Sequence, residues 1–303
     1  MYLKPGDIIP NNLKQVFFYT ISPYQKGSTH AVLNLLQKGK LSEDDLNIIR
    51  FLYENRVATL SLLGMQFPNI SANKLRERLE AMIPDRFINQ FMLVDSTEKE
   101  HVFQKDALTF YTIDWNAVTL LSMLGNEEQA RNWSASQLLM SSDKVRKCLI
   151  AIEYKILIEK KLQSKTLSYH SFPVYVWDKR KTIIPYGEMI LSDGKKQHSY
   201  IIDVFTHYDF FLGDATGISE KLLRYSQFLG TTSKFYFAEE PVLIGLCDDI
   251  PTVQRAASLM NSMGLMTCRV TTLELAEKDL ETSLVRYDAE KGLVRTRNML
   301  FSC

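Results

Sequence analysis

The chain has 303 residues, 46% hydrophobic and 23% charged, a balance that excludes disordered, collagenous and mucin-like classes and accommodates two or three domains. Its net charge of +1 by itself indicates neither a nucleic-acid nor a membrane partner. No apolar run approaches the ~18–20 residues of a membrane span, and Met1-Tyr2-Leu3-Lys4-Pro5-Gly6-Asp7 lacks the order of a signal peptide, so the expectation is a cytoplasmic protein with no membrane partner.

Residues 1–40 read as an N-terminal extension with an aromatic patch, Val16-Phe17-Phe18-Tyr19, and a short helix around Ala31–Gln37; no function attaches to it. A helix start follows at Ser42, whose partner three residues on is Asp45, and Leu46, Ile49, Leu52 and Tyr53 continue one face. Thr59–Met65 predicts a second helix, Phe67-Pro68-Asn69 a turn, and Ser71 opens a third. There Leu75, Leu79, Met82 and Ile83 bury one face, leaving Asn73, Lys74 and Glu77 outward with Arg76 and Arg78 on the flanks. Phe91-Met92-Leu93-Val94 and His101-Val102-Phe103 then suit a two-stranded wing, so 41–112 is expected to be a first winged-helix unit.

Residues 141–152 repeat the pattern of 71–82 at an offset of 70, with Ser71/Ser141, Lys74/Lys144, Arg76/Arg146, Leu79/Leu149 and Ala81/Ala151 identical. Val118, Leu120, Leu121 and Leu124 supply a helix upstream and Ala135–Met140 another. Ile156-Leu157-Ile158-Glu159-Lys160-Lys161 and Tyr169–Trp177 follow as the expected strands of a second wing, so 113–180 is read as a second winged-helix unit. Residues 126–181 carry 11 Lys and Arg against 6 Asp and Glu, which concentrates positive charge in this part of the chain.

A helix-turn-helix unit sets its third helix in the major groove of DNA, with residues near its N-terminus on base edges and cations on phosphates. The candidate DNA-binding residues are therefore Ser71, Asn73, Lys74, Arg76 and Arg78 in the first copy, with Ser142, Lys144, Arg146 and Lys147 in the second. Lys160, Lys161, Lys165, Lys179, Arg180 and Lys181 flank the second wing as expected phosphate contacts. From 181 to 303 strands alternate with helices: Thr182–Leu191, Ser199–Thr206, helix Ile218–Leu229, strand Val242–Cys247, helix Thr252–Met263 and strand Thr267–Thr271. The expected class is mixed α+β: two tandem winged-helix units and an α/β domain.

Pro185-Tyr186-Gly187-Glu188, then Ile201-Ile202-Asp203-Val204-Phe205 and Glu220-Lys221-Leu222-Leu223-Arg224-Tyr225, resemble the replication–relaxation family of plasmid and mobile-element proteins. The resemblance implies a winged helix joined to a domain similar to the PD-(D/E)xK nuclease fold. A nuclease of that pattern uses two carboxylates to hold Mg²⁺ and a lysine near the attacked phosphate. Glu188 and Asp203 are the candidate carboxylates; Phe205 stands where the lysine is expected, leaving Lys221 as a substitute, so a degenerate and non-catalytic site is the favoured reading. No glycine-rich phosphate loop or G-x-S-x-G elbow is present. Cys148, Cys247, Cys268 and Cys303 lack metal-ligand or disulfide spacing, so no metal or cofactor is expected, save Mg²⁺ for a nuclease.

The expected function is that of a double-stranded DNA-binding accessory protein in plasmid or mobile-element replication, relaxation or conjugative transfer. Its α/β domain would mediate homodimerisation or dock a replication or transfer protein. The alternatives are a metal-dependent nuclease, a plasmid replication initiator, and a ligand-responsive transcriptional regulator.

Overall fold

The computed structural model describes residues 13–17, 28–95, 108–125, 142–162, 166–177, 181–192, 197–212, 215–231 and 233–297. The chain is mixed α/β and divides into two compact units, Ile8–Leu149 and Ile150–Cys303, apart from a few N-terminal residues.

In the first unit, β1 (Leu13–Phe17) and α1 (Thr29–Gln37) precede three helices, α2 (Glu43–Asn55), α3 (Leu60–Gln66) and α4 (Ala72–Met82). Each helix starts on a hydroxyl cap. Ser42 and Asp45 close a capping box on α2, Thr59 Oγ1 accepts from Leu62 N, and Ser71 Oγ accepts from Lys74 N. Leu75, Leu79 and Met82 bury the inner stripe of α4. Strands β2 (Ile88–Asp95) and β3 (Leu108–Ile113) form an antiparallel hairpin with β1 added outside β2, and Ala58, ahead of α3, makes a single antiparallel bridge to Tyr111 of β3. Arg86 closes the entry to this hairpin. Its Nε donates to Asp114 Oδ2 at 3.0 Å and a terminal nitrogen donates to Oδ1 at 3.2 Å, while Asp114 also accepts from Trp115 N at the start of α5 (Trp115–Met123). The expected strand His101–Phe103 and helix Ala135–Met140 lie outside the described residues.

The helix expected over 141–152 is present as α6 (Ser142–Lys161), but it runs on through Ile156–Lys161, where a wing strand was expected. Ile150, Tyr154, Ile158 and Leu162 recur every four residues and pack on Met189, Leu191, Tyr200 and Ile202 of a sheet. That helical stripe overrides the β-preference of Ile156-Leu157-Ile158. The second winged helix is thereby corrected: Tyr169 and Trp177, expected in one strand, belong to separate sheets.

The second unit is a three-layer sandwich. Strands β4 (Thr166–Ser171), β7 (Gly187–Ser192) and β8 (Gln197–Phe205) form an antiparallel meander. Beyond β8, β9 (Val242–Cys247) and β10 (Arg269–Thr272) run parallel, and β11 (Val285–Asp288) and β12 (Gly292–Arg295) complete the order β12-β11-β10-β9-β8-β7-β4. Helices α7 (Ala215–Thr231) and α8 (Ile250–Ser262) make the parallel crossovers. Their Leu222, Tyr225, Phe228, Val253 and Ala256 pack with Ile201, Phe205 and Leu243, on the face opposite α6. A short ribbon of β5 (Tyr175–Trp177) and β6 (Lys181–Ile183) lays Tyr175, Trp177 and Ile183 on the same α7 side. Because both faces are covered, the last six residues of β8 are all buried, a near-continuous apolar run broken by Asp203. Burial pushes the Cys148 and Cys268 thiols up to about 12, which suits packing rather than reactivity.

Candidate nucleic-acid interface and carboxylate site

On α4, the cap Ser71 and residues Asn73, Lys74 and Arg76 are exposed, as are Glu77 and Glu80. These positions follow from the buried stripe, since a helix that hides Leu75 and Leu79 must turn 73, 74 and 76 away from the core. Arg78 does not belong with them. It reaches Asp44 Oδ2 and Asp45 Oδ1, each at 3.0 Å, and donates to Ser42 Oγ, so it ties α4 to the capping box of α2. Its carboxylate partners are 33 and 34 positions upstream, too distant for helical spacing to reveal.

The second set of expected DNA contacts disperses. Lys144 and Lys160 are exposed, whereas Arg146 and Lys147 are buried, and Lys147 Nζ lies 2.7 Å from Asp143 Oδ2. Lys161 Nζ donates to the carbonyls of Ala276 and Glu277, stabilising the end of α9 (Leu273–Lys278). Lys181 is exposed, with Nζ 3.4 Å from Gln227 Oε1. Nothing is described of Lys165, Lys179, Arg180 or the Ser142 side chain.

Glu188, Asp203 and Lys221 come to the α7 side of the sheet. Glu188 is registered opposite Ile201, and Asp203 stands two residues along the same face of β8. Lys221 approaches from α7 and places Nζ 2.8 Å from Asp203 Oδ1. Asp203 is fully buried, and its carboxylate also accepts from Val204 N at 2.8 Å and from Tyr225 Oη at 2.6 Å. Glu188 accepts from Tyr175 Oη, and His170 Nδ1 lies 3.6 Å from its other oxygen. Burial, followed by the adjacent carboxylate, pushes both phenols above their usual range, so Tyr175 and Tyr225 remain protonated donors. The ammonium of Lys221 also lies 5.1 Å from the Phe205 ring centroid and 5.9 Å from that of Tyr186.

Sequence reasoning did not assign the two tyrosines. Tyr225 was accessible through spacing, since it follows Lys221 by four residues and shares its helix face; Tyr175 sits on a separate ribbon and was not. Chemically, Asp203 is a desolvated carboxylate neutralised by one cation and oriented by two further donors. Among the described residues no group of three or more His, Cys, Asp or Glu side chains is placed to hold a metal ion.

No family model matches the chain. No curated protein matches it either. Among solved structures, the restriction endonuclease FokI is similar at 10% identity with a TM-score of 0.27, over 80% of this chain and 41% of that one. FokI bound to DNA is similar at 11% identity with a TM-score of 0.28, over 73% of this chain and 41% of that one. The chain therefore matches about two-fifths of the length of these structures.

Proposed function

We propose that this protein binds double-stranded DNA through the exposed face of α4. The observation that carries this reading is that Ser71, Asn73, Lys74 and Arg76 project outward from a three-helix scaffold followed by an antiparallel hairpin. Asn can pair with adenine, and Arg or Lys with guanine, while the same cations serve phosphates. Arg78, Arg146, Lys147 and Lys161 are excluded from the interface because their charges are committed to internal contacts or buried. A place in plasmid or mobile-element replication, relaxation or transfer, with a homodimer or a transfer protein as partner, rests on the resemblance of the Glu188, Asp203 and Lys221 segments.

The test is duplex binding across a salt series with Lys74→Glu/Arg76→Glu. The variant is expected to unfold at the same temperature and to lose affinity together with part of the salt slope. Unchanged affinity removes α4 from the interface.

A second reading, a metal-dependent nuclease, is favoured by the shared sheet face of Glu188, Asp203 and Lys221. Against it stands the three-donor lock on Asp203, which a metal would have to displace. Mg²⁺-dependent cleavage of duplex DNA that is lost in a folded Asp203→Asn variant would establish the nuclease; intact DNA at saturating Mg²⁺ leaves Asp203 a structural carboxylate.

A further inference from the structure

Between β6 and the first turns of α7 lies a groove of about 210 Å³, walled by Thr182, Ile184, Gly217, Glu220, Lys221 and Arg224. We propose that it seats a phosphoryl group and, resting on the reading of this protein as a DNA-binding one, that the group is a backbone phosphate of the duplex. The contact is separate from α4.

Three features support an anionic occupant. First, Lys221 reaches the groove while its ammonium touches Asp203; an ammonium has three donors, and among the described residues Asp203 accepts one. The buried carboxylate thus fixes a cation that would otherwise be a mobile surface side chain, at 35% exposure. Second, Arg224 lines the same wall, one helical turn beyond Lys221, and its pairing with Glu220 is loose: 3.9 Å, with the two side chains 59% and 70% exposed. Such a surface pair contributes ~0–1 kcal/mol, so a phosphate, which accepts a guanidinium fork with two parallel hydrogen bonds, can take Arg224 over. Third, Lys181, the chain neighbour of the lining residue Thr182, is exposed and places Nζ 3.4 Å from Gln227 Oε1, three residues beyond Arg224 on α7, so a further cation adjoins the groove. Glu220 is the opposing charge in the wall. Gly217 borders open space, where an added Cβ would meet no atom within 4 Å.

The experiment uses the full chain with Arg224→Glu and Gly217→Glu. The first reverses the exposed cation; the second places a carboxylate in the groove without steric conflict. Arg255→Glu, an exposed position on α8, is the control for total charge. Each groove variant is expected to keep the wild-type melting temperature and to lower the log–log salt slope by ~0.9 per lost phosphate, which is about eightfold in duplex affinity near 0.1 M salt, while the control shows a smaller change. Inorganic phosphate and a mononucleotide are titrated in parallel, followed by melting temperature. Stabilisation of the wild type but not of the variants, with unchanged duplex affinity, assigns the groove to a free phosphoryl ligand instead. Equal duplex affinity in all four proteins together with no phosphate response overturns the proposal. If Lys74→Glu/Arg76→Glu weakens duplex binding in that case, the DNA reading stands without the groove; if the wild type binds no duplex, the DNA reading fails, and the phosphate and mononucleotide titrations alone decide the groove.

Discussion

Gly187→Ala is the most informative single substitution in the second unit. An ideal Cβ on Gly187 would lie 2.1 Å from Tyr169 Oη, 2.5 Å from Cζ and 3.0 Å from Cε1, against the usual 3.4–4 Å of van der Waals contact. The ring would have to move by more than an ångström. It is held on β4 against the α6 core, and Lys155 Nζ lies 5.3 Å from its centroid, so the movement disturbs both neighbours. Overpacking of this kind costs ~1–3 kcal/mol, and the depth of the overlap places this case near the upper limit. For a unit of this size ~3 kcal/mol corresponds to a fall in melting temperature of roughly 6–12 °C. The assay is thermal unfolding of a double-mutant cycle with Tyr169→Val, which removes the ring from a strand position and suits β structure. In that background Gly187→Ala should be close to neutral, giving a coupling of ~2–3 kcal/mol. A wild-type melting temperature for Gly187→Ala alone, or an equal loss in both backgrounds, would refute the steric argument.

Tyr169→Phe alone should raise stability by ~1 kcal/mol or more, since the Tyr169 hydroxyl is buried without a hydrogen-bond partner among the described residues; a lower midpoint in urea would show that the hydroxyl has one. Asp114→Ala should lower unfolding free energy by ~3 kcal/mol, because it removes the carboxylate that pairs with Arg86, 14% exposed, and uncaps α5; a loss below 1 kcal/mol would assign the clamp no weight. Arg78→Ala should reduce thermal stability while leaving duplex affinity within a factor of about two, the opposite of Lys74→Glu/Arg76→Glu, and a selective affinity loss would return Arg78 to the interface. Glu153 is pushed up to about 7, first by burial and then by the charge of Glu277. A carboxyl whose folded pKa is raised binds its proton more tightly when folded, so its contribution is intact below the unfolded value and is lost as pH rises through about 7. Glu153→Gln should therefore raise the melting temperature at pH 8 but not at pH 4, and an equal effect at both would exclude titration as the cause.

Much of the fold follows from local rules. Ser42 with Asp45, Thr59 and Ser71 marked the starts of α2, α3 and α4, because a hydroxyl that accepts a backbone N–H three residues on needs no distant partner. The outward direction of Asn73, Lys74 and Glu77 followed from the period of Leu75, Leu79 and Met82, and the alternation of strands and helices after Thr182 announced an α/β domain. Glu188, Asp203 and Lys221 were nominated through a resemblance, with spacing unable to say whether they would meet.

Where the sequence was insufficient, the missing information was a partner far along the chain. Ile156-Leu157-Ile158 is a short apolar run compatible with strand or helix; the sheet that receives Tyr154, Ile158 and Leu162 decided for helix and removed the second wing. Arg76 and Arg78 look alike in sequence, yet one is exposed and the other is fixed by Ser42, Asp44 and Asp45. Lys161 likewise became a cap for a helix more than a hundred residues away. The sequence by itself determined where α2, α3 and α4 start and that α4 turns Leu75, Leu79 and Met82 inward, since caps and hydrophobic period act over a few residues. Only the tertiary structure decided which charges, Arg78 and Lys161 among them, are consumed internally, because a charge pair a few ångströms apart is set by how the elements pack and not by their separation along the chain.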